Sequence, residues 1–149
     1  MILARLYDDL VMDHIKNARN YRILDNANRK ATGSNPLCGD ELTVYLAVER
    51  DRIQDIAFLC TCCGISMASA SIMKERVKGE TAADARSLLR SFVSAVLGGG
   101  DLAAYGAFPG QRAILATAQE FPARTRCAAL PWATLEGALD GREETVFVR

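Results

Sequence analysis

Leu42-Thr43-Val44-Tyr45-Leu46-Ala47-Val48, then Glu49-Arg50-Asp51-Arg52, then Ile53-Gln54-Asp55-Ile56-Ala57-Phe58-Leu59 stand in direct succession. In the first run the apolar residues Leu42, Val44, Leu46 and Val48 alternate with their neighbours, the period of a half-buried strand. The polar tetrad reads as a turn and Ile53–Leu59 as a returning strand, so the stretch predicts a β-hairpin.

Downstream, Ile65–Lys78 is small and apolar with its charges late, which predicts a mostly buried helix ending at Gly79. Thr81 reads as an N-cap with Asp84 three positions on, and the helix it opens runs to about Leu97 before Gly98-Gly99-Gly100. Pro109-Gly110 precedes a short helix from about Gln111, Pro122 ends that segment, and Leu130–Leu139 reads as a last helix. Upstream, Leu6, Leu10, Val11 and His14 predict an amphipathic helix over Ala4–Lys16. Asn17–Gly39 is polar and Asn-rich and holds one short strand around Arg29–Thr32. The order predicts an α+β fold, a small antiparallel sheet of about three strands packed on several helices.

The chain of 149 residues fits one domain, 1–149, with a tail from about residue 140 whose order is open. Acidic and basic residues balance to zero net charge, which gives no electrostatic case for a nucleic-acid or anionic-membrane partner. No apolar run approaches the ~20 residues of a membrane span, and the acidic start does not read as a secretory signal. The expectation is a cytoplasmic protein whose five cysteines, Cys38, Cys60, Cys62, Cys63 and Cys127, are reduced thiols.

Three segments carry the chemistry. Asn35-Pro36-Leu37-Cys38-Gly39-Asp40 places Cys38 and Asp40 two apart, so an extended backbone points both toward one metal. Cys60-Thr61-Cys62-Cys63 lies where the hairpin hands over to the buried helix, and partial positive charge at a helix start favours thiolate. Arg126-Cys127 precedes the last helix. Three thiols and a carboxylate make a tetrahedral donor set, and thiolates favour zinc or an iron–sulfur cluster over magnesium or calcium.

The wording of these motifs goes beyond spacing. Asn35-Pro-Leu-Cys-Gly-Asp40, Phe58 followed by Cys63-Gly-Ile-Ser-Met-Ala-Ser-Ala-Ser71, Val77-Lys-Gly79 and Arg126-Cys-Ala-Ala-Leu-Pro-Trp132 resemble the iron–sulfur assembly family of IscU, SufU and the NifU N-terminal domain. Met12-Asp-His-Ile-Lys-Asn-Ala-Arg-Asn20 resembles the family's opening helix and turn, and the likeness runs over about residues 5–139. IscU-type members carry a histidine before the last cysteine, where this chain has Arg126. They also carry a Leu-Pro-Pro-Val-Lys chaperone motif, where this chain reads Glu120-Phe-Pro-Ala-Arg-Thr-Arg126. Extra sequence around Gly98–Gly110 is the mark of SufU, and the SufU type is the better match.

That resemblance implies zinc held by Cys38, Asp40, Cys63 and Cys127, with a SufS-type cysteine desulfurase as partner. In the family the desulfurase exchanges a histidine into the zinc shell and frees the first cysteine, here Cys38, to accept persulfide sulfur. Arg124 matches a family arginine that stabilises the thiolate or persulfide. The alternative is a non-enzymatic scaffold that assembles a [2Fe–2S] cluster or holds iron on the same ligands. Recipient apo-proteins or downstream assembly proteins are the further partners. Glycines are usual in the family at the positions of Cys60 and Cys62, so these two thiols are additions, read as inert small side chains in a tight junction with Cys60 in the core; the alternatives are extra ligands, a second sulfur acceptor or a disulfide. Ala18 stands where many relatives have proline. Of the remaining residues, His14 reads as a packing group, Leu130 and Trp132 as core beneath Cys127, and Met67 and Met73 as core.

Overall fold

A computed structural model describes residues 24–35, 39–141 and 144–146. The opening helix with His14, Ala18, and Cys38 itself, lie outside the described residues. Strands β1 (Arg29–Asn35), β2 (Asp40–Glu49) and β3 (Arg52–Thr61) precede helices α1 (Gly64–Val77), α2 (Ala82–Gly98), α3 (Pro109–Glu120) and α4 (Thr125–Leu139). A short strand β4 (Glu144–Val146) follows. The sheet order is β3-β2-β1-β4. The three long strands pair antiparallel, as the sequence predicts, and β4 adds a parallel edge on β1 from the tail whose order the sequence leaves open. No helix among the described residues is long and apolar enough to cross a membrane.

The inner sheet face, Ala31 with Leu42, Val44, Leu46, Ile56 and Phe58, is closed by the helices. Trp132 of α4, fully buried, stacks near Phe92 of α2 at a centroid distance of 4.7 Å. Met73 is core as read, whereas Met67 is only half-buried at the core's margin.

The hairpin turn is tighter than a tetrad. Glu49 pairs with Arg52, leaving Arg50 and Asp51 as a two-residue loop with φ of 54° and 64°. Both are left-handed, the handedness that matches the strand twist, but a non-glycine side chain there costs about 1 kcal/mol. The Asp51 carbonyl accepts from the Ala82 N–H at 2.7 Å, so the turn also anchors the start of α2. Replacing Arg50-Asp51 by Asn-Gly is expected to raise stability by about 1 kcal/mol, read as a higher denaturant midpoint at unchanged m-value. An unchanged midpoint would mean that the surrounding hydrogen bonds, not the backbone, set the turn. The Thr81 cap forms as read: its hydroxyl accepts from the Asp84 N–H at 3.1 Å.

Three boundaries differ from the sequence reading. Strand β1 continues to Asn35, because each residue finds a partner on β2 down to Asn35 opposite Asp40. Helix α3 begins at Pro109, where proline's missing N–H costs nothing in the first turn. Helix α4 begins at Thr125, so Cys127 sits inside its first turn and not ahead of it. Pro131 lies within that helix, which is why the sequence places the start later.

Candidate metal centre

The proline in α4 leads directly to the site. Lacking an N–H, Pro131 leaves the carbonyl four residues back, that of Cys127, without its helical donor. Helix α1 supplies one: the Ser66 hydroxyl lies 2.9 Å from the Cys127 oxygen. One turn on, the Ser69 hydroxyl donates to the Ala128 carbonyl at 2.6 Å and accepts from the Trp132 indole N–H at 2.8 Å. Ser66 and Ser69 are fully buried, so these bonds fix α4 against α1 with both hydroxyls and the indole N–H partnered. The sequence reading passes over both serines; a proline inside an apolar helix facing a Ser-x-x-Ser helix was the available signal.

Ser66 also faces Asp40. Its oxygen lies 2.8 Å from Oδ2, while Oδ1 accepts the Cys63 backbone N–H at 3.1 Å. One hydroxyl proton therefore serves two acceptors, the carboxylate and the Cys127 carbonyl. Asp40 opens β2 on the inner face and is 5% exposed; Cys63 is the N-cap of α1; Cys127 is buried. The sheet edge, one helix start and one helix first turn thus converge. The ligand atoms of Asp40, Cys63 and Cys127 all lie within 4.8 Å of one another. Two thiols and a carboxylate at that separation are a donor set suited to zinc or to iron with sulfide, and poorly suited to hard cations.

Of the predicted site residues, the structure brings Asp40, Cys63 and Cys127 together. Gly39 has a φ of +76°, so the extended backbone assumed between Cys38 and Asp40 is not present. The Gly39 N–H instead donates to the Asn35 carbonyl at 2.8 Å, closing a turn between β1 and β2. Arg124 is exposed at the end of a 3-10 turn, Pro122–Arg124, leading into α4. Cys60 and Cys62 are not the reduced thiols expected: the structure joins them as a disulfide, whereas Cys63 and Cys127 are in no disulfide. Cys60 is half-buried, packed against the core margin and not within it.

The Cys63 thiol is brought down from 9.0 to about 6, first by a hydrogen bond from the Cys127 thiol. Burial opposes this; the Ser66 N–H and hydroxyl lower it further, and the Asp40 carboxylate opposes again. A thiol lowered on folding stabilises the metal-free fold above 9.0, and that contribution fades as pH falls through about 6. In metal-free protein, Cys127→Ala is expected to move the Cys63 thiolate transition back toward 9.0, followed by ultraviolet thiolate absorbance with Cys63→Ala as blank. A midpoint that stays near 6 would assign the shift to Ser66 instead.

The family model of the NifU-like N-terminal domain matches residues 6–128. The chain is 38% identical over 94 residues to the iron–sulfur cluster assembly scaffold protein IscU 1 of Archaeoglobus fulgidus, covering 63% of this chain and 61% of that one. It is 35% identical over 142 residues to the zinc-dependent sulfurtransferase SufU of Bacillus subtilis, covering 90% of this chain and 89% of that one. The crystal structure of a SUF-system assembly scaffold protein from Fervidobacterium islandicum superposes with a TM-score of 0.77 at 32% identity, over 90% of this chain and 96% of that one. The chain belongs to the NifU-like N-terminal domain family of iron–sulfur cluster assembly proteins, alongside IscU and SufU.

Proposed function

We propose that this protein is a zinc-holding sulfurtransferase of SufU type, which accepts persulfide sulfur from a cysteine desulfurase at Cys38. The observation that carries the reading is the convergence of Asp40, Cys63 and Cys127 within 4.8 Å, with Cys38 two residues before Asp40 in the chain. Those four residues are the ligands we assign. Zinc, when bound, keeps its thiol ligands deprotonated, and the thiolate is the species that attacks sulfur. The chain's own residues set the rest. Asp40 and Ser66 hold the Cys63 backbone and the Cys127 carbonyl in place. A carboxylate in place of a fourth thiolate leaves a shell more open to ligand exchange than one of four cysteines. Arg124, exposed on the turn before α4, is the cation we assign to stabilise the accepting thiolate or its persulfide. Arg126 before Cys127, and the 35% identity to a zinc-dependent sulfurtransferase over most of both chains, support zinc over a cluster as the resident group.

Desulfurase turnover measures this directly. The purified protein is expected to stimulate cysteine desulfuration by a SufS-type enzyme by about tenfold or more, and Cys38→Ala to abolish the stimulation. Full stimulation by Cys38→Ala, or none by wild type, would sink the proposal. The second reading, a scaffold for a [2Fe–2S] cluster as cargo, is favoured by the match to the Archaeoglobus scaffold. It predicts a cluster that survives desalting after anaerobic reconstitution and passes to an apo-ferredoxin.

A further inference from the structure

The Cys60–Cys62 disulfide is unused by the function proposed above, and its position gives it work. Its loop spans a sequence separation of only 2, so it removes little entropy from the unfolded chain and is a poor staple. Its place matters more. Glu41 pairs with Thr61, which puts Cys62 at the ladder position facing Asp40, one residue past the last pair. The next residue is Cys63, whose N–H is held by the Asp40 carboxylate. The pair therefore lies beside Asp40 and Cys63, two of the candidate ligands. Cys60 opens onto a concavity of about 280 Å³ lined also by Thr43, Leu59 and Thr61, and Cys62 is half-buried, so neither sulfur is sealed in the core.

We infer that Cys60 and Cys62 form an internal dithiol that reduces the carrier persulfide to sulfide and ends as the disulfide seen here. This rests on the persulfide reading above. The Cys62 thiolate takes the terminal sulfur of the carrier persulfide, and the carrier thiolate leaves. The Cys60 thiolate then attacks Cys62 Sγ, the Cys60–Cys62 bond forms, and hydrosulfide is expelled. One persulfide and two thiols become one thiol, one disulfide and one hydrogen sulfide. The sulfane sulfur gains two electrons, and the two cysteine sulfurs lose them. A dithiol reductant of the thioredoxin class reopens the pair for the next cycle. The chain would thus deliver sulfide as well as carry persulfide.

The test loads full-length protein with sulfane sulfur from inorganic polysulfide, desalts it, and follows cyanolysable sulfur, free sulfide and the disulfide map. Four forms are compared: reduced wild type, wild type with the Cys60–Cys62 bond closed beforehand, Cys62→Ser and Cys60→Ser. Reduced wild type is expected to release its sulfur as sulfide at least about tenfold faster than the other three, with the Cys60–Cys62 bond appearing in step. The pre-closed wild type makes the comparison independent of whether either variant folds. Equal retention of sulfane sulfur by all forms overturns the inference while leaving the carrier role intact. Failure of every form, the two variants included, to take up sulfane sulfur overturns the carrier reading and this inference with it.

Discussion

Protein carrying Asp40→Ala and purified without added metal is expected to contain at least about tenfold less metal per chain than wild type, while its far-ultraviolet circular dichroism stays native. The two halves of this result have separate causes. Asp40 is one of three groups whose ligand atoms lie within 4.8 Å of one another, so its loss opens the donor set. The fold loses less. The Cys63 N–H forfeits its acceptor but lies at a half-exposed helix start, where water can replace it. The Ser66 hydroxyl keeps the Cys127 carbonyl as its acceptor. About 1 kcal/mol is the cost to be expected of the metal-free protein. Asp40→Asn, which keeps the shape and one acceptor oxygen, separates charge from geometry. Unfolding together with metal loss would make the centre a structural staple. Metal retained at the wild-type level would remove Asp40 from the ligand set.

Gly33→Ala is expected to lower stability by about 3 kcal/mol, on the order of 10 °C in melting temperature. Gly33 lies in β1 beneath α4, and a Cβ there would collide with Thr134 Oγ1 and meet Thr134 Cβ at 3.1 Å and Leu130 Cδ1 at 3.3 Å. The Thr134 hydroxyl donates to the Leu130 carbonyl at 2.8 Å, so its rotamer is held. The helix must move, and it carries Cys127. Metal content is therefore expected to fall alongside stability, although Gly33 is not itself a ligand. Thr134→Ala removes the nearest atom and should restore roughly half the loss in the double variant, leaving the 3.1 Å contact. A melting temperature unchanged by Gly33→Ala would mean that β1 and α4 pack less closely than described.

Much of the fold was legible because the deciding signals are local. Alternation from Leu42 to Val48, the Thr81 cap and the glycines after α2 each act within a few residues, and each appears in the structure as read. Helix α4 was misread at its start for an equally plain reason. Proline inside a helix is unfavourable on local grounds, and Ser66, 61 residues away, supplies a donor that makes it tolerable at Cys127. The backbone at Gly39 likewise depends on the closure of β1 on β2.

The candidate centre divides in the same way. Residue type was decided by sequence alone: cysteines beside a glycine, an aspartate and an arginine in three short motifs named the donors, because thiolate and carboxylate chemistry belongs to the side chain. Which donors meet was decided by the tertiary structure. Cys63 and Cys127 approach only because two buried serines tie α1 to a proline-opened α4, and Asp40 joins them through the Cys63 backbone and Ser66. The pairing of Cys60 with Cys62 belongs to the structure too. Alternate residues at a strand end share a face in any extended chain, yet only the exit of β3 toward α1 leaves that pair beside the centre and bonded to each other, with Cys63 free.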